Sequence, residues 1–165
     1  MAFKINALYG GGLLPIDQFE TVDSNKLGLR VQGYDATYGY GEFIYLKGIA
    51  STVVGSWVTI TPDDWGTVLL VANAIGDVGV AMSANIVATT GGWYQIYGKA
   101  SAKALTAFAD NGRAYATATP GSVDDTVVDG DLVHKALGAS IVNETTLLAD
   151  FEIHYPYNDD IAGND

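Results

Sequence analysis

The chain is predicted to be all-β: a sandwich or partly closed barrel of short antiparallel strands with an irregular N-terminal arm. Three observations carry that prediction. Turn-forming residues recur at roughly eight- to twelve-residue spacing, the usual interval of sandwich and barrel folds. The apolar runs between them are short and alternate with polar residues. No long segment shows the 3.6-residue repeat of an amphipathic helix. With 165 residues the chain is long enough for one domain with a proper core, burying roughly 70% of its unfolded surface. It divides into an arm (1–30), a β domain (31–157) and an acidic tail (158–165).

In the arm, Tyr9-Gly10-Gly11-Gly12 permits many backbone conformations and Pro15 interrupts any ladder. No Lys-Ser/Thr pair follows the glycines, so a phosphate cradle is not indicated. The segment reads as an arm lying across a neighbouring subunit or as a simple surface loop. Glu42 to Ala50 is the first strong strand. Its alternation sets Ile44, Leu46, Gly48 and Ala50 on one face and Phe43, Tyr45 and Lys47 on the other. Val53 to Ile60 is the next strand, with Gly55-Ser56 as a turn or bulge, and Thr61-Pro62-Asp63-Asp64 stops it. Val68 to Ala72, Val78 to Met82 and Asn85 to Thr89 follow as short strands, and Thr90-Gly91-Gly92 turns into a hairpin.

Trp93 to Ala100 repeats the earlier pattern. Tyr94, Ile96, Gly98 and Ala100 share a face, opposite Trp93, Gln95, Tyr97 and Lys99. The alanine-rich stretch from Ala100 to Ala109 has helical propensity, but the alternation runs into it without a capping signal, which favours a strand with small residues at a crowded seam. Asp110 to Arg113 turns the chain, Ala114 to Ala118 alternates, and Pro120-Gly121 turns it again. Residues 126–134 and 137–142 are short apolar strands. Leu147 to Tyr155 closes the domain, ended by Pro156.

Composition excludes several partners. Charged residues make up 16% of the chain, against about a quarter in an average globular domain. Such a surface suits a protein that covers itself against neighbours. The net charge is −11 with only eight Lys and Arg. Nucleic-acid binders need clustered cations to displace counterions from phosphate, and an anionic membrane surface would repel this chain. Cysteine is absent, so neither disulfides nor thiolate metal sites form. The first residues lack the apolar core of a signal peptide and no apolar run is long enough to cross a bilayer. The expectation is a soluble protein made in a cytoplasm.

Catalytic and metal chemistry find little support. Asp124, Asp125, Asp129 and Asp131 cluster, but without the spacing of a calcium loop. They read as a solvated acidic loop. His134 and His154 lie in different strands and read as half-exposed strand residues. There is no Gly-x-Ser-x-Gly elbow and no thiol nucleophile. Glu42, Glu144 and Glu152 are carboxylates that glycoside chemistry would need in one cleft, which spacing alone does not provide. No enzyme, cofactor or metal is expected.

The aromatics carry the functional reading. Trp57, Trp65 and Trp93, with ten tyrosines, suit a sugar-stacking platform, a protein interface or strand packing. Trp57 is assigned to the core. The candidate contacts are Phe43, Tyr45, Lys47, Trp93, Tyr97 and Lys99 on the two strand faces, with Tyr9, Gly11 and Leu13 in the arm.

The strings Tyr38-Gly39-Tyr40-Gly41-Glu42-Phe43-Ile44-Tyr45-Leu46-Lys47-Gly48, Gly76-Asp77-Val78-Gly79-Val80-Ala81 and Gly92-Trp93-Tyr94-Gln95-Ile96-Tyr97-Gly98-Lys99-Ala100 resemble the head-decoration, or capsid cement, proteins of tailed phages. The resemblance covers roughly residues 30–155 in strand order and turn spacing. It implies a mainly β protein on the outer surface of the virion, bound to the major capsid protein, commonly as a homotrimer at local threefold positions. It implies no catalytic residue. The competing expectation is a carbohydrate-binding or other adhesive appendage.

Overall fold

The computed structural model describes residues 4–5 and 13–163. Among them there is no helix. The strands are β1 (Lys4–Ile5), β2 (Phe19–Thr21), β3 (Arg30–Asp35), β4 (Gly39–Lys47), β5 (Trp57–Thr61) and β6 (Gly66–Leu69), then β7 (Gly76–Ala81), β8 (Thr90–Lys103), β9 (Arg113–Ala116), β10 (Val123–Asp124), β11 (Leu132–Gly138) and β12 (Leu148–Asn158). They form one antiparallel sheet, ordered β1-β3-β4-β8-β7-β12-β11-β9-β10, with β2 added to β8 and the β5–β6 hairpin added to β7. The sheet does not close into a barrel.

β8 organises the sheet. One of its edges pairs with β4 over Gly91 to Gly98. Its other edge is shared in turn by β2, β7 and β12. The sheet therefore forks along β8 into a β7-β5-β6 branch and a β12-β11-β9-β10 branch. The largest core cluster includes Trp57, Val78 and Val80 from the first branch and Val133, Phe151 and Ile153 from the second. Trp57 stands edge-on to Phe151, with ring centroids 5.1 Å apart, and its indole N–H donates to the Lys103 carbonyl at 3.0 Å. Ala100, Ala102 and Ala104 of the alanine-rich stretch are buried in the same cluster. Small side chains there leave room for the rings, which is why this sequence of helical propensity runs as a strand as far as Lys103; residues 105–109, expected to continue it, turn away instead. Packing overrides propensity.

Polar side chains fix the tight turns. The Asp35 carboxylate accepts the N–H groups of Thr37 and Tyr38 between β3 and β4. The Asp64 carboxylate accepts the N–H of Gly66 and the hydroxyl of Thr61 between β5 and β6. Both are local side-chain-to-backbone closures of the kind that favour Asp in turns.

Several boundaries differ from those expected. Residues 85–89 are a loop, and Thr90-Gly91-Gly92 opens β8 instead of turning the chain. Residues 126–131 are also a loop, and β11 ends at Gly138. β12 runs through Pro156 to Asn158. It does so because β12 carries extra residues between Ile153 and Tyr157, opposite Ala136 and His134. Tyr155 there has a φ of 55°, and a proline without an N–H is tolerated inside such a bulge.

The two-faced alternation of β4 is real, but both faces are covered. Ile44 and Leu46 pack with Val58, Ile60, Tyr94 and Ile96. Phe43, Tyr45 and Trp93 pack with Ile16, Val31 and Met82, and Leu13, Leu14, Val22 and Leu27 close over them. The cover is the described part of the arm, residues 13–29, lying across its own sheet as a strap. The Trp93 indole donates to the Leu14 carbonyl at 2.8 Å. Backbone bonds run from Gly28 to Tyr45 and from Tyr45 to Leu29, each 2.9 Å. The Tyr45 hydroxyl donates to Glu20 at 3.1 Å.

Phe43, Tyr45 and Trp93 are thus fully buried and are core residues, not partner contacts. Burying Phe43 alone is worth about 1.5–3 kcal/mol of transfer free energy, which the strap secures without any second molecule. Leu13 is half-buried in the same cover. Tyr9 and Gly11 lie outside the described residues.

Candidate functional site

An irregularity in β8 decides what faces outward. Gln95 stands opposite Phe43, but Tyr97 stands opposite Glu42, so Ile96 is an extra residue. The alternation read from Trp93 therefore does not continue to Tyr97. The next residue, Gly98, has a φ of 98°, and a Cβ there would collide with the Tyr40 carbonyl oxygen. Only glycine holds that conformation without strain.

Beyond the bulge, Gln32, Glu42, Tyr97 and His154 stand directly opposite one another across β3, β4, β8 and β12. Cross-strand partners of this kind share a face. Tyr34 and Tyr40 form the neighbouring pair, and the β12 bulge adds Tyr155. Tyr34, Tyr40 and Tyr155 are exposed, and Tyr97 is half-buried beneath them. The Tyr97 ring lies 6.3 Å from Tyr40, 5.0 Å from His154 and 5.4 Å from Tyr155, centroid to centroid.

Glu42 is the hub of this face. Tyr155 donates its hydroxyl to one carboxylate oxygen at 2.6 Å, and Tyr40 donates to the other at 3.2 Å. The Gln32 amide approaches the second oxygen at 3.5 Å. Because the neutral phenol is the donor to Glu42, and burial adds to this, the Tyr155 pKa is pushed up to about 12. The result is that Tyr40 and Tyr155 are held in fixed orientation on either side of Tyr97.

A cleft of about 600 Å³ adjoins the row. Ile44, Ile60 and Ile96 contribute to its apolar lining, Trp65 and Tyr155 bring rings, and Arg30 and Asp77 bring charge. Trp65 has a φ of 57°, and its ring packs over Gly28, where even a Cβ would lie 2.7 Å from the indole carbons. Two aromatic residues in left-handed backbone conformations thus meet at one cleft. Such conformations cost of order 1–3 kcal/mol each; they also occur away from the cleft, at Ser51, Ala107 and Leu147 among others.

The remaining sequence candidates have structural partners. Lys47 pairs with Asp64 at 3.3 Å, and Lys99 with Asp150 at 2.9 Å. The Asp150 hydrogen bond raises the Lys99 pKa. Of the acidic loop, Asp125 accepts the Ala109 N–H, Asp129 that of Gly163 and Asp131 that of Asn73. These carboxylates fasten loops, and among the described residues no group of His, Cys, Asp and Glu is arranged to hold a metal ion. His134 stacks on Tyr157 at 4.7 Å. Glu144 accepts the Ala107 N–H, and Glu152 lines a different hollow, with Arg113 and His154.

Of the predicted contacts among the described residues, only Tyr97 belongs to the row. Tyr34, Tyr40, Glu42, His154, Tyr155 and the cleft residues Arg30 and Trp65 are additions. One signal for them was present: Arg30, Gln32 and Tyr34 alternate with Val31, Gly33 and Asp35, and β3 follows that pattern as exposed and buried positions. No family model, curated protein or solved structure matches the chain.

Proposed function

We propose that this protein is a virion structural protein that binds the outer surface of a phage capsid and stabilises the head, acting as a homotrimer. The single supporting observation is the outward row of Tyr34, Tyr40, Tyr97 and Tyr155 around Glu42. Tyrosine is enriched where proteins adhere, because its ring covers much area at a low entropic cost and its hydroxyl finds partners. Tyr40 and Tyr155, already oriented by Glu42, lose little freedom on contact. A modest energy per subunit is multiplied when many copies bind one shell. The role needs no reaction, and the sequence strings that resemble decoration proteins include β4 and most of β8.

The test is co-sedimentation of purified protein with mature heads of the parent phage. Wild-type protein should pellet with heads. Tyr34→Ala combined with Tyr40→Ala should lower head affinity by roughly tenfold or more, since central interface aromatics contribute about 1–2 kcal/mol each. Failure of wild-type protein to bind heads would overturn the decoration reading. Full binding by the double variant would remove the tyrosine row from the contact.

A further inference from the structure

The cleft beside the tyrosine row combines features that an adhesive sheet face does not require. Arg30 and Asp77 line it together. Neither makes an ion pair or a side-chain hydrogen bond with another described residue. The Trp65 indole N–H makes no hydrogen bond with the described residues either. Both rings of the cleft, Trp65 and Tyr155, are held by left-handed backbone, with φ values of 57° and 55°.

These features discriminate among occupants. An apolar plug, such as a leucine of a partner protein, would bury a guanidinium and a carboxylate without partners, which is costly. An anion would meet Asp77 and a chain of net charge −11. A cation, although favoured by that net charge, would meet Arg30 within the cleft. A neutral polyhydroxylated ring satisfies all of them. Its hydroxyl protons suit Asp77, its oxygens suit Arg30 and the indole N–H, and its C–H faces suit aromatic surfaces. The volume, about 600 Å³, lies within the range of small-ligand sites.

We propose that this cleft binds a neutral sugar ring of a glycan, with Trp65 and Tyr155 supplying the ring surfaces and Arg30 and Asp77 the directed hydrogen bonds. The site gives the protein a second adhesive function beside the capsid contact, with which it shares Tyr155.

The test uses the full chain, free of heads. Tryptophan fluorescence and saturation-transfer NMR would follow titration with neutral oligosaccharides of glucose, galactose, mannose and N-acetylglucosamine, up to about 10 mM, a ceiling suited to weak affinities. At least one probe should bind. Arg30→Ala and Asp77→Ala, at exposed positions, should each weaken it by about tenfold, as expected for hydrogen bonds to charged groups. Circular dichroism should be unchanged in both, and Val127→Ala, at an exposed loop position outside the cleft, should bind as wild type. The proposal fails if no neutral probe binds or if either charge variant binds as tightly as wild type. Head binding is unaffected by any of these outcomes, so the two readings fail separately.

Discussion

Glu42 shows how one carboxylate orders a surface. It accepts from Tyr155 and Tyr40 on different oxygens, and so fixes two rings that flank Tyr97. The cost falls on phenol ionisation. The Tyr155 pKa is pushed up to about 12 by that hydrogen bond, with burial adding to it. The Tyr45 pKa is also pushed up to about 12, first by burial under the strap. A phenol that is harder to ionise in the folded chain stabilises the fold while it is neutral. That contribution is complete below the ordinary value of 10.0 and is lost as pH rises through about 12. An alkaline titration followed by phenolate absorbance should therefore show a late step, and stability should fall over the same interval. Tyr155→Phe should reduce the amplitude of that step. An unchanged late step would show that Tyr155 is not bound to Glu42 in solution.

At the scale of elements, the bulge of β8 separates core from contact surface. Before it, Trp93 and Gln95 stand opposite Tyr45 and Phe43; after it, Tyr97 stands opposite Glu42. Gly98→Ala tests this point. It forces an alanine into a φ of 98° against the Tyr40 carbonyl, at roughly 1–3 kcal/mol from the backbone conformation alone. The urea midpoint should drop accordingly, and an unchanged midpoint would contradict the bulge. The bulge also marks where sequence reading stops. Strict alternation identified Phe43 and Tyr45 as one face and Ile44 and Leu46 as the other, because period-two patterning is local. The inserted Ile96 is invisible to that pattern, since a bulge is a property of two strands and only one is read at a time. Pro156 was misleading for the same reason: a bulge opposite β11 removes the N–H requirement that makes proline a strand breaker.

At the scale of the whole molecule, the all-β class was legible from turn spacing, whereas the burial of Phe43, Tyr45 and Trp93 was not. Their cover comes from residues 13–29, and nothing in an alternating strand says which distant segment lies over it. The net charge of −11 bears on assembly in turn. Copies of such a chain repel one another, and raising ionic strength from about 0.01 to 0.15 M shortens the screening length from roughly 30 to 8 Å. Self-association measured by sedimentation velocity should therefore strengthen with salt. Weakening would mean that opposite charges hold the copies together and would count against a contact made by neutral tyrosines. The strap has a last consequence, for biosynthesis. Residues 13–29 leave the ribosome before β4 and β8, the strands that receive them. The greasy seat of Phe43, Tyr45 and Trp93 is thus completed with its lid already synthesised. The lid is fastened only when β8 arrives, since Phe19 to Thr21 pair with Gly92 to Thr90 and the Leu14 carbonyl accepts from Trp93.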